Sequence, residues 1–246
     1  MSDQTSFNAK QTAMQWENKV NLNLTVESRE GHYSRPFEAK NLVIAGWTGR
    51  NREAMEAHVA ELEEIGIARP KRMPEYYRNG LNLLTTDTSI EVVGDHSSGE
   101  IEFVLYIDKD EIFVGLGSDH TDREVEKTNV TVSKQVCPKP VSAAVWKYSD
   151  ICDHWESLAL RSHAVIDGQK ALYQEGPVTT MKDPMDLLKE FEDRGGERNG
   201  LVMYCGTLAV HGGVRPAQSF EMELRDSVLN RSIRHRYDAH SLEMGD

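Results

Sequence analysis

The chain has 246 residues, of which 39% are hydrophobic and 28% are charged, and its net charge is -12 at pH 7. This composition is typical of a soluble globular protein and argues against a disordered chain. The negative charge argues against sequence-independent nucleic-acid binding, which needs clustered Lys and Arg facing the phosphates. No apolar run approaches the roughly 18 residues that a membrane-spanning helix needs. We therefore expect neither a nucleic-acid nor a membrane partner.

The three cysteines are scattered and have no CxxC spacing: Cys137, Cys152 and Cys205. They predict buried, inert thiols instead of a disulfide framework or a zinc site. Residues 1–18 are polar and lack an apolar h-region, so we interpret them as a flexible extension and not as a signal peptide. We expect residues 19–246 to form a single domain of a cytoplasmic protein.

The first half of the chain predicts two strands and one helix. Alternating apolar residues predict a half-buried strand over 20–26, and a short apolar run predicts another over 42–45. Apolar residues at helical spacing predict a helix over 52–65, and either Thr48 or Asn51 could cap its first turn.

Hairpins dominate the rest of the chain. Apolar runs over 103–107 and 112–114 flank a polar turn and predict a central β-hairpin, and 129–133 alternates as a strand does. The remaining predicted elements are a short helix over 150–158, a hairpin turning at Asp167-Gly168, a helix over 183–191, a strand over 201–205 and a hairpin of 220–224 with 232–242. This content predicts a mainly antiparallel α+β or all-β domain.

A pair of carboxylates precedes the central hairpin. Glu100 and Glu102 stand two residues apart, so a strand would project both side chains to one face. Folding the hairpin brings Glu100 or its neighbour opposite Ser118 and Asp119, with the register open by about one residue. Converging carboxylates raise one another's pKa unless a cation compensates them, and Mg²⁺ prefers oxygen ligands. Glu100, Glu102 and Asp119 are therefore candidate metal ligands.

A second Glu-x-Glu pair provides a comparison within the same chain. No carboxylate cluster returns beside Glu221 and Glu223, and we interpret this pair as a solvated face, which is the commoner situation for such pairs. The first pair differs because the returning strand contains Gly115 and Gly117, which permit a close approach of the backbone.

Five segments in chain order also match a known family. They are Glu100-x-Glu102 with Asp119-His-Thr121-Asp-Arg123-Glu124, the lysine segment 133–141, the hairpin 165–174, the segment 181–188, and Gly206-Thr207-Leu208. Together they resemble the fumarylacetoacetate hydrolase (FAH) superfamily over about residues 40–242. Glu124 stands where the family has Asp, and Leu208 stands where it has Pro. With its Gly-Thr-Leu variant and the layout of its termini, the chain resembles an uncharacterised prokaryotic branch of the superfamily.

The resemblance implies an α+β, mainly β, roll that forms a homodimer and binds Mg²⁺, with Mn²⁺ or Ca²⁺ as alternatives. It implies a small-molecule substrate of the 2-oxo or 1,3-dicarbonyl carboxylate type. The reaction implied first is C–C bond hydrolysis of the acylpyruvate or fumarylacetoacetate type, through a metal-stabilised enolate. A decarboxylase, an isomerase or a hydratase on the same scaffold stays open, as does a non-catalytic small-molecule binding protein.

The same resemblance suggests catalytic residues. Lys134 could assist the reaction electrostatically, although an exposed loop lysine is the alternative. His58 and Glu61 lie three apart on the predicted helix and could form the family's His-x-x-Glu pair that activates water. A structural histidine is the alternative for His58. His120 adjoins Asp119, and because adjacent strand residues point oppositely, we expect it to face away from the metal.

Candidate substrate-binding residues cluster near the Gly-Thr segment. Thr207, beside Gly206, could offer its hydroxyl and its backbone N–H to a substrate carboxylate. His211 and Arg215 follow on a glycine-rich loop, where Arg215 could pair with a carboxylate. Gln174 ends the hairpin motif and is implied as a further substrate contact.

Overall fold

The computed structural model describes residues 18–64 and 69–245. The extension predicted over 1–18 lies outside the described residues except for its last position, as does position 65 of the predicted helix. Eight strands form one mixed sheet. In spatial order they are β2 (Gly31–Ala39), β1 (Val20–Ser28), β12 (Ala144–Lys147), β9 (Glu111–Ser118), β8 (Ile101–Asp108), β15 (Leu201–Thr207), β3 (Asn41–Gly46) and β4 (Glu75–Asn79).

A second mixed sheet of five strands packs against the first. In spatial order its strands are β14 (Gln169–Pro177), β13 (Leu158–Ile166), β16 (Ser219–Asp226), β17 (Arg231–Leu242) and β6 (Ser89–Val93). Two short ribbons complete the strands: β7 (Ser97–Ser98) with β10 (Thr121–Asp122), and β5 (Leu84–Thr85) with β11 (Lys139–Pro140). The prediction of an α+β, mainly β, fold is confirmed.

The helices are short and lie between strands. They are α1 (Arg52–Glu64), α2 (Arg123–Glu126), α3 (Val130–Gln135), α4 (Tyr148–Ile151) and α5 (Pro184–Asp193), with 3-10 turns at Leu81–Leu83, Cys152–Ser157 and Val178–Thr180. Asn51 Oδ1 accepts a 3.1 Å hydrogen bond from the amide of Ala54, so Asn51 caps α1 as one of the two predicted candidates. In the described part of the chain, none of the helices is long and apolar enough to cross a membrane.

Both faces of the eight-stranded sheet are buried along β8. Ile101 and Phe103 pack into the core that is shared with the five-stranded sheet. Val104 and Tyr106 pack into a second core, formed mainly by strands of the eight-stranded sheet itself, so that sheet curls around its own side chains. Glu102 lies on the same face of β8 as Val104 and Tyr106, and its side chain therefore points toward the end of this curled interior.

The central hairpin forms with the predicted register. Ile101 pairs with Ser118, Glu102 pairs with Gly117, and the amide of Asp119 donates a 3.0 Å hydrogen bond to the carbonyl of Glu100. The observed register agrees with the predicted register to within the one residue of uncertainty. It brings the backbones of the candidate ligands together.

One predicted strand is a helix. The segment 129–133 alternates, yet the chain is helical from Val130 to Gln135 because Asn129 caps the turn, accepting a 3.0 Å hydrogen bond from the amide of Val132. Lys134 consequently lies on α3 and not on the expected loop. The strands β2 and β4 are additions that the pattern analysis did not contain.

Candidate metal centre

Three carboxylates converge at the end of the central hairpin. Glu100, Glu102 and Asp119 each present an oxygen such that all three atoms lie within 4.8 Å of one another. Glu102 is 2% exposed and Asp119 is 0% exposed, whereas Glu100 is partly exposed. This arrangement has the oxygen-only composition that hard divalent cations such as Mg²⁺ prefer.

Backbone and hydroxyl groups hold the two hairpin ends in place. Glu102 Oε2 accepts a 2.6 Å hydrogen bond from the amide of Gly206, at the end of β15. The amide of Glu100 donates a 3.1 Å hydrogen bond to Ser118 Oγ on the opposite strand. The ligand positions are therefore fixed by three neighbouring strands of one sheet, β15, β8 and β9.

Two buried lysines contact Asp119. Lys134 Nζ donates to Asp119 Oδ2 and lies 3.7 Å from Glu100 Oε2. Lys139 Nζ lies 3.1 Å from Asp119 Oδ1 and donates a 2.5 Å hydrogen bond to the carbonyl of His120. Lys134 retains 7% side-chain exposure and Lys139 retains none. Lys134 therefore borders the opening of the site, while Lys139 lies behind Asp119.

An arginine completes the charged network. Arg123 Nη1 lies 3.1 Å from Glu100 Oε1 and 2.8 Å from Glu126 Oε2, and its Nε donates a 2.7 Å hydrogen bond to Ser98 Oγ. Arg123 and Lys139 lie within the sequence motifs, but the motifs alone predict no role for either residue. A lysine between two prolines, Pro138 and Pro140, gives no pattern signal of burial.

The pKa values reflect burial and this network. Burial raises the pKa of Glu102 well above its usual range, and the charges of Asp119 and Glu100 raise it further. Burial also opposes ionisation of Asp119, yet Lys134 and Lys139 outweigh it and lower the pKa of Asp119 to about 2. Burial alone would lower the pKa of Lys134, but Asp119 and Glu100 raise it above its usual value, so Lys134 holds its proton at neutral pH.

The residues present fit a divalent cation. Asp119 Oδ1 is buried, and among the described residues its one close polar partner is Lys139 Nζ at 3.1 Å, which does not form a well-aligned hydrogen bond with it. Glu102 is desolvated beside two other carboxylates and receives no direct ion pair within the described structure. A buried carboxylate that lies beside other carboxylates and has no ion-pair partner is costly unless a cation binds it.

His120 faces away from the carboxylates, as its position next to Asp119 predicts. Its Nδ1 lies 2.9 Å from Tyr237 Oη and its Nε2 lies 2.9 Å from Ser97 Oγ, so both ring nitrogens bind protein groups. Tyr237 Oη also lies 2.8 Å from Ser118 Oγ, which accepts the hydrogen bond from the amide of Glu100. No local sequence pattern predicts this chain of hydrogen bonds behind the ligand loop.

Thr207 and Gln174 form a buried brace beside Glu102. Thr207 Oγ1 donates a 2.7 Å hydrogen bond to the carbonyl of Ile101 and accepts a 2.8 Å bond from Gln174 Nε2. Gln174 also donates to the carbonyl of Leu208 at 2.6 Å and accepts from the amide of Ile101 at 3.0 Å. The hydroxyl of Thr207 and the amide of Gln174 are thus engaged by protein groups around the metal ligands.

His211 and Arg215 lie on the loop after β15. Arg215 Nη2 donates a 2.9 Å hydrogen bond to the carbonyl of His211, and Tyr173 Oη hydrogen bonds to the backbone of Arg215 at 3.2 Å. Neither side chain forms an ion pair or hydrogen bond with the three carboxylates within residues 18–64 and 69–245. The structure brings together the predicted metal ligands and Lys134, but it does not join these two residues to them.

His58 and Glu61 lie on α1, whose helical backbone is as predicted. Their side chains lie outside the described part of the structure. The base predicted from the His-x-x-Glu spacing therefore remains a prediction.

An aromatic residue borders the site on β4. The Tyr77 ring centre lies 5.9 Å from Lys134 Nζ, and Tyr77 Oη accepts a 3.1 Å hydrogen bond from Trp47 Nε1. A side chain at Gly46 would meet this ring at 2.8 Å, so a glycine there permits the ring to lie over β3. Tyr76 faces elsewhere and donates to the carbonyl of Leu187 at 2.8 Å. Of these two neighbouring tyrosines, Tyr77 is the one beside Lys134.

The comparison pair Glu221 and Glu223 forms surface ion pairs. Glu221 pairs with Lys170, and Glu223 Oε1 accepts a 2.7 Å hydrogen bond from Arg234. The two side chains are partly exposed, at 34% and 21%, and they belong to no carboxylate cluster among the described residues.

A family model described as "Protein of unknown function (DUF2848)" matches residues 45–237, which is most of the chain. The chain belongs to the DUF2848 family. No curated protein matches the sequence of this DUF2848 protein.

Solved structures share the fold of this DUF2848 chain at low sequence identity. The yeast protein ynq8, a fumarylacetoacetate hydrolase family protein, is 19% identical with a TM-score of 0.59, and the match covers 85% of this chain and 97% of that chain. A 2-keto-3-deoxy-D-arabinonate dehydratase complexed with magnesium and 2,5-dioxopentanoate is 14% identical with a TM-score of 0.60, over 86% and 77% of the two chains.

A third similar structure is 4-oxalocrotonate decarboxylase from Pseudomonas putida G7, complexed with calcium and acetate. It is 13% identical with a TM-score of 0.54, and the match covers 82% of this chain and 78% of that chain. At these identities the likeness shows the fold, so the DUF2848 chain has the FAH fold that the ordered segments predict.

Proposed function

We propose that the protein is a divalent-metal-dependent enzyme that acts on a small 2-oxo or 1,3-dicarbonyl carboxylate, with C–C bond hydrolysis as the reaction. The observation that carries this proposal is the convergence of Glu100, Glu102 and Asp119 in a buried cluster beside the protonated Lys134. Two proteins of the same fold support it, one complexed with magnesium and 2,5-dioxopentanoate and the other with calcium and acetate.

Glu100, Glu102 and Asp119 would hold the cation. When bound, a divalent cation supplies a Lewis acid for adjacent oxo and carboxylate oxygens of a substrate. Lys134 reaches the opening of the site with a positive charge and 7% side-chain exposure. A protonated lysine there stabilises negative charge that develops on a substrate oxygen, because a preorganised charge in a desolvated site costs no reorganisation during the reaction.

The neighbouring residues would shape the substrate pocket. Gln174 and Thr207 fix the end of β15 against β8, so the backbone beside Gly206 is rigid where a substrate carboxylate would approach. Tyr77 forms a wall beside Lys134. In this proposal His58 and Glu61 on α1 activate the water that hydrolysis needs, while His211 and Arg215 provide outer contacts for the substrate.

A second candidate reaction is decarboxylation or hydration on the same scaffold. The observation that favours it is the protonated state of Lys134, whose pKa is raised by Asp119 and Glu100 despite its burial. A lysine that keeps its proton is suited to stabilise an enolate, or to protonate it after carbon dioxide has left. Decarboxylation consumes no water, whereas hydration adds a water molecule across a double bond. The dehydratase and the decarboxylase among the proteins of similar fold agree with this alternative.

Metal binding tests the proposal first. Isothermal titration calorimetry should detect Mg²⁺ or Mn²⁺ binding to the wild type and lose it in Glu102→Gln. Glu223→Gln is the matched control, because it removes one carboxylate charge from a surface pair on β16. Affinity retained by Glu102→Gln would refute the metal assignment.

Substrate chemistry is tested separately. A screen of acylpyruvates and related oxo-acids with added Mg²⁺, followed by ultraviolet loss of the enol, should identify a substrate whose turnover requires the metal. Product analysis then distinguishes hydrolysis, which yields two carboxylates, from decarboxylation, which releases carbon dioxide. Binding of these acids without turnover of any of them would instead indicate a small-molecule binding protein.

A further inference from the structure

The second lysine at the site, Lys139, has no contact with solvent. It is 0% exposed, and its ammonium group is enclosed between Asp119 Oδ1 at 3.1 Å and the carbonyl of His120 at 2.5 Å. Burying an ammonium group is costly unless nearby negative charge compensates it. Here Asp119 provides that charge, although the same carboxylate is a candidate metal ligand. Lys139 and a bound cation therefore interact with one acidic group.

The charges around the cluster are nearly balanced before any cation binds. Glu126 and the three candidate ligands contribute four carboxylates. All of these except Glu102 form ion pairs with three basic side chains: Arg123, Lys134 and Lys139. In the metal-bound state the ligand carboxylates are ionised, and the four carboxylates then exceed the three basic side chains by one negative charge. A divalent cation therefore converts the cluster to one excess positive charge, which a desolvated site tolerates poorly.

An anionic ligand removes this excess. A substrate with one carboxylate restores neutrality when it binds next to the cation, so each of the two species increases the affinity of the cluster for the other. We propose that Lys139 acts as a positioning residue that couples metal binding to substrate binding, so that the cation binds weakly alone and tightly together with a monoanionic oxo-carboxylate.

This inference rests on the proposed metal centre and adds a thermodynamic property to it. Lys139 is the residue that creates the coupling because, without its charge, the four carboxylates would face two cations and the metal would reach neutrality by itself. Glu126 has the opposite effect on Mg²⁺ binding, because its negative charge offsets part of the positive charge that the cation brings. It is bound to Arg123 at 2.8 Å and its side chain is 25% exposed, so its charge can be removed without opening the core.

Calorimetric titration of Mg²⁺ into the intact protein tests the coupling without any turnover measurement. Three conditions are compared: buffer alone, saturating pyruvate, and saturating pyruvamide, which keeps the two adjacent carbonyl oxygens but has no charge. We expect pyruvate to tighten Mg²⁺ binding at least tenfold and pyruvamide to have little effect. This size follows because a unit charge a few ångströms away changes affinity by at least about tenfold at an effective dielectric constant of about 20.

Two variants with opposite expected effects test the role of Lys139. In Lys139→Met, Mg²⁺ alone should bind at least tenfold more tightly, and the added effect of pyruvate should shrink. In Glu126→Gln, Mg²⁺ alone should bind several-fold more weakly, and the effect of pyruvate should grow. Lys127→Met is the control, because Lys127 is 59% exposed and pairs with Glu124 at the surface; it should behave as the wild type does.

The outcomes separate this inference from the proposed function. Equal Mg²⁺ affinity of the wild type in all three conditions would overturn the coupling but leave the metal centre in place. Coupling that persists unchanged in folded Lys139→Met, as judged by its thermal unfolding, would also overturn the role of Lys139. If Lys139→Met does not fold, Glu126→Gln provides the test. An effect of pyruvate on Mg²⁺ affinity that is the same in Glu126→Gln as in the wild type would overturn the proposed charge coupling. Absence of Mg²⁺ binding under every condition overturns both the inference and the metal centre.

Discussion

The backbone amide of Gly206 donates a 2.6 Å hydrogen bond to Glu102 Oε2. Gly206 adopts φ +98°, and a Cβ atom there would lie 1.8 Å from Thr48 Oγ1. Thr48 in turn donates a 3.0 Å hydrogen bond to the carbonyl of Cys205 and is 3% exposed. The glycine is therefore required by its backbone conformation and by the space beside it, and both serve to aim one amide at a candidate metal ligand.

Gly206→Ala should reduce both metal affinity and stability. The left-handed backbone costs about 1 kcal/mol or more for alanine, and the contact with Thr48 forces a shift of β15 or of Thr48. Either shift displaces the amide that binds Glu102. We expect Mg²⁺ affinity to fall at least tenfold by calorimetry and the unfolding temperature to fall as well.

Gly168→Ala is the control for the cost of placing alanine in a left-handed backbone conformation without a steric contact. Gly168 has φ +73° at a hairpin turn, and a Cβ atom there would have no neighbour within 4 Å. This variant should lose about 1 kcal/mol of stability and keep wild-type Mg²⁺ affinity. Wild-type affinity in Gly206→Ala would show that the amide of Gly206 does not orient Glu102.

Tyr237→Phe tests the hydrogen-bond chain behind the ligands. The hydroxyl of Tyr237 lies 2.8 Å from Ser118 Oγ and 2.9 Å from His120 Nδ1, and the tyrosine is fully buried. Its removal leaves two buried polar groups short of a partner, which costs about 1–3 kcal/mol. We expect a lower unfolding free energy in urea and, because Ser118 holds the amide of Glu100, a several-fold loss of Mg²⁺ affinity.

Tyr173→Phe provides the matched comparison. Tyr173 is also fully buried and packs against Phe220, as Tyr237 does, but its hydroxyl binds the backbone of Arg215. This variant should lose stability without losing Mg²⁺ affinity. Equal Mg²⁺ affinities in the two variants would mean that the chain from His120 to Ser118 does not support the metal site.

The hairpin that carries the ligands could be predicted because its signals are local. Its strands are apolar runs around a polar turn, and the two-residue period of a strand fixes which side chains share a face. The register observed, with Ile101 opposite Ser118, follows from the turn at Lys109, which adopts φ +57°. Local pattern and tertiary pairing agree there, so the convergence of the carboxylates could be inferred.

Other elements depend on contacts that no local pattern reveals. β2 contains Arg35 and Pro36 and exposes most of its side chains, and it is a strand because β1 pairs with it along its whole length. In α3, the apolar Val130 and Val132 alternate with polar residues as in a strand, but the Asn129 cap favours a helix. Short runs are ambiguous for this reason. Lys139 is invisible to pattern analysis because its burial depends on packing beside Asp119.

His58→Ala should slow turnover of a hydrolysed substrate by a factor of about 10²–10⁴, the usual contribution of a general base. Glu61→Gln should have a smaller effect in the same direction, because in this prediction Glu61 only orients His58. Mg²⁺ binding, measured by calorimetry, should be unchanged in both variants. Turnover that survives intact in His58→Ala would eliminate His58 as the proposed base.

Asp226 gives the fold a pH dependence that is separate from the metal site. Its Oδ1 accepts hydrogen bonds from the amides of Leu229 at 3.0 Å and Val228 at 3.1 Å, and it also binds His154 and Arg231. Burial opposes the ionised form, but these donors outweigh it and lower the pKa of Asp226 below its usual 3.8.

A carboxyl group with a lowered pKa stabilises the folded state above its unfolded pKa, and this stability disappears as the pH falls through the folded pKa. Asp226→Asn should therefore lose about 1–3 kcal/mol of unfolding free energy at pH 7. The difference from the wild type should shrink only below pH 3.8, where Asp226 becomes protonated. Urea unfolding of both proteins between pH 7 and the lowest pH at which the wild type is folded measures this difference in unfolding free energy. A difference that stays constant over that whole range would show that the ionised carboxylate contributes nothing to stability.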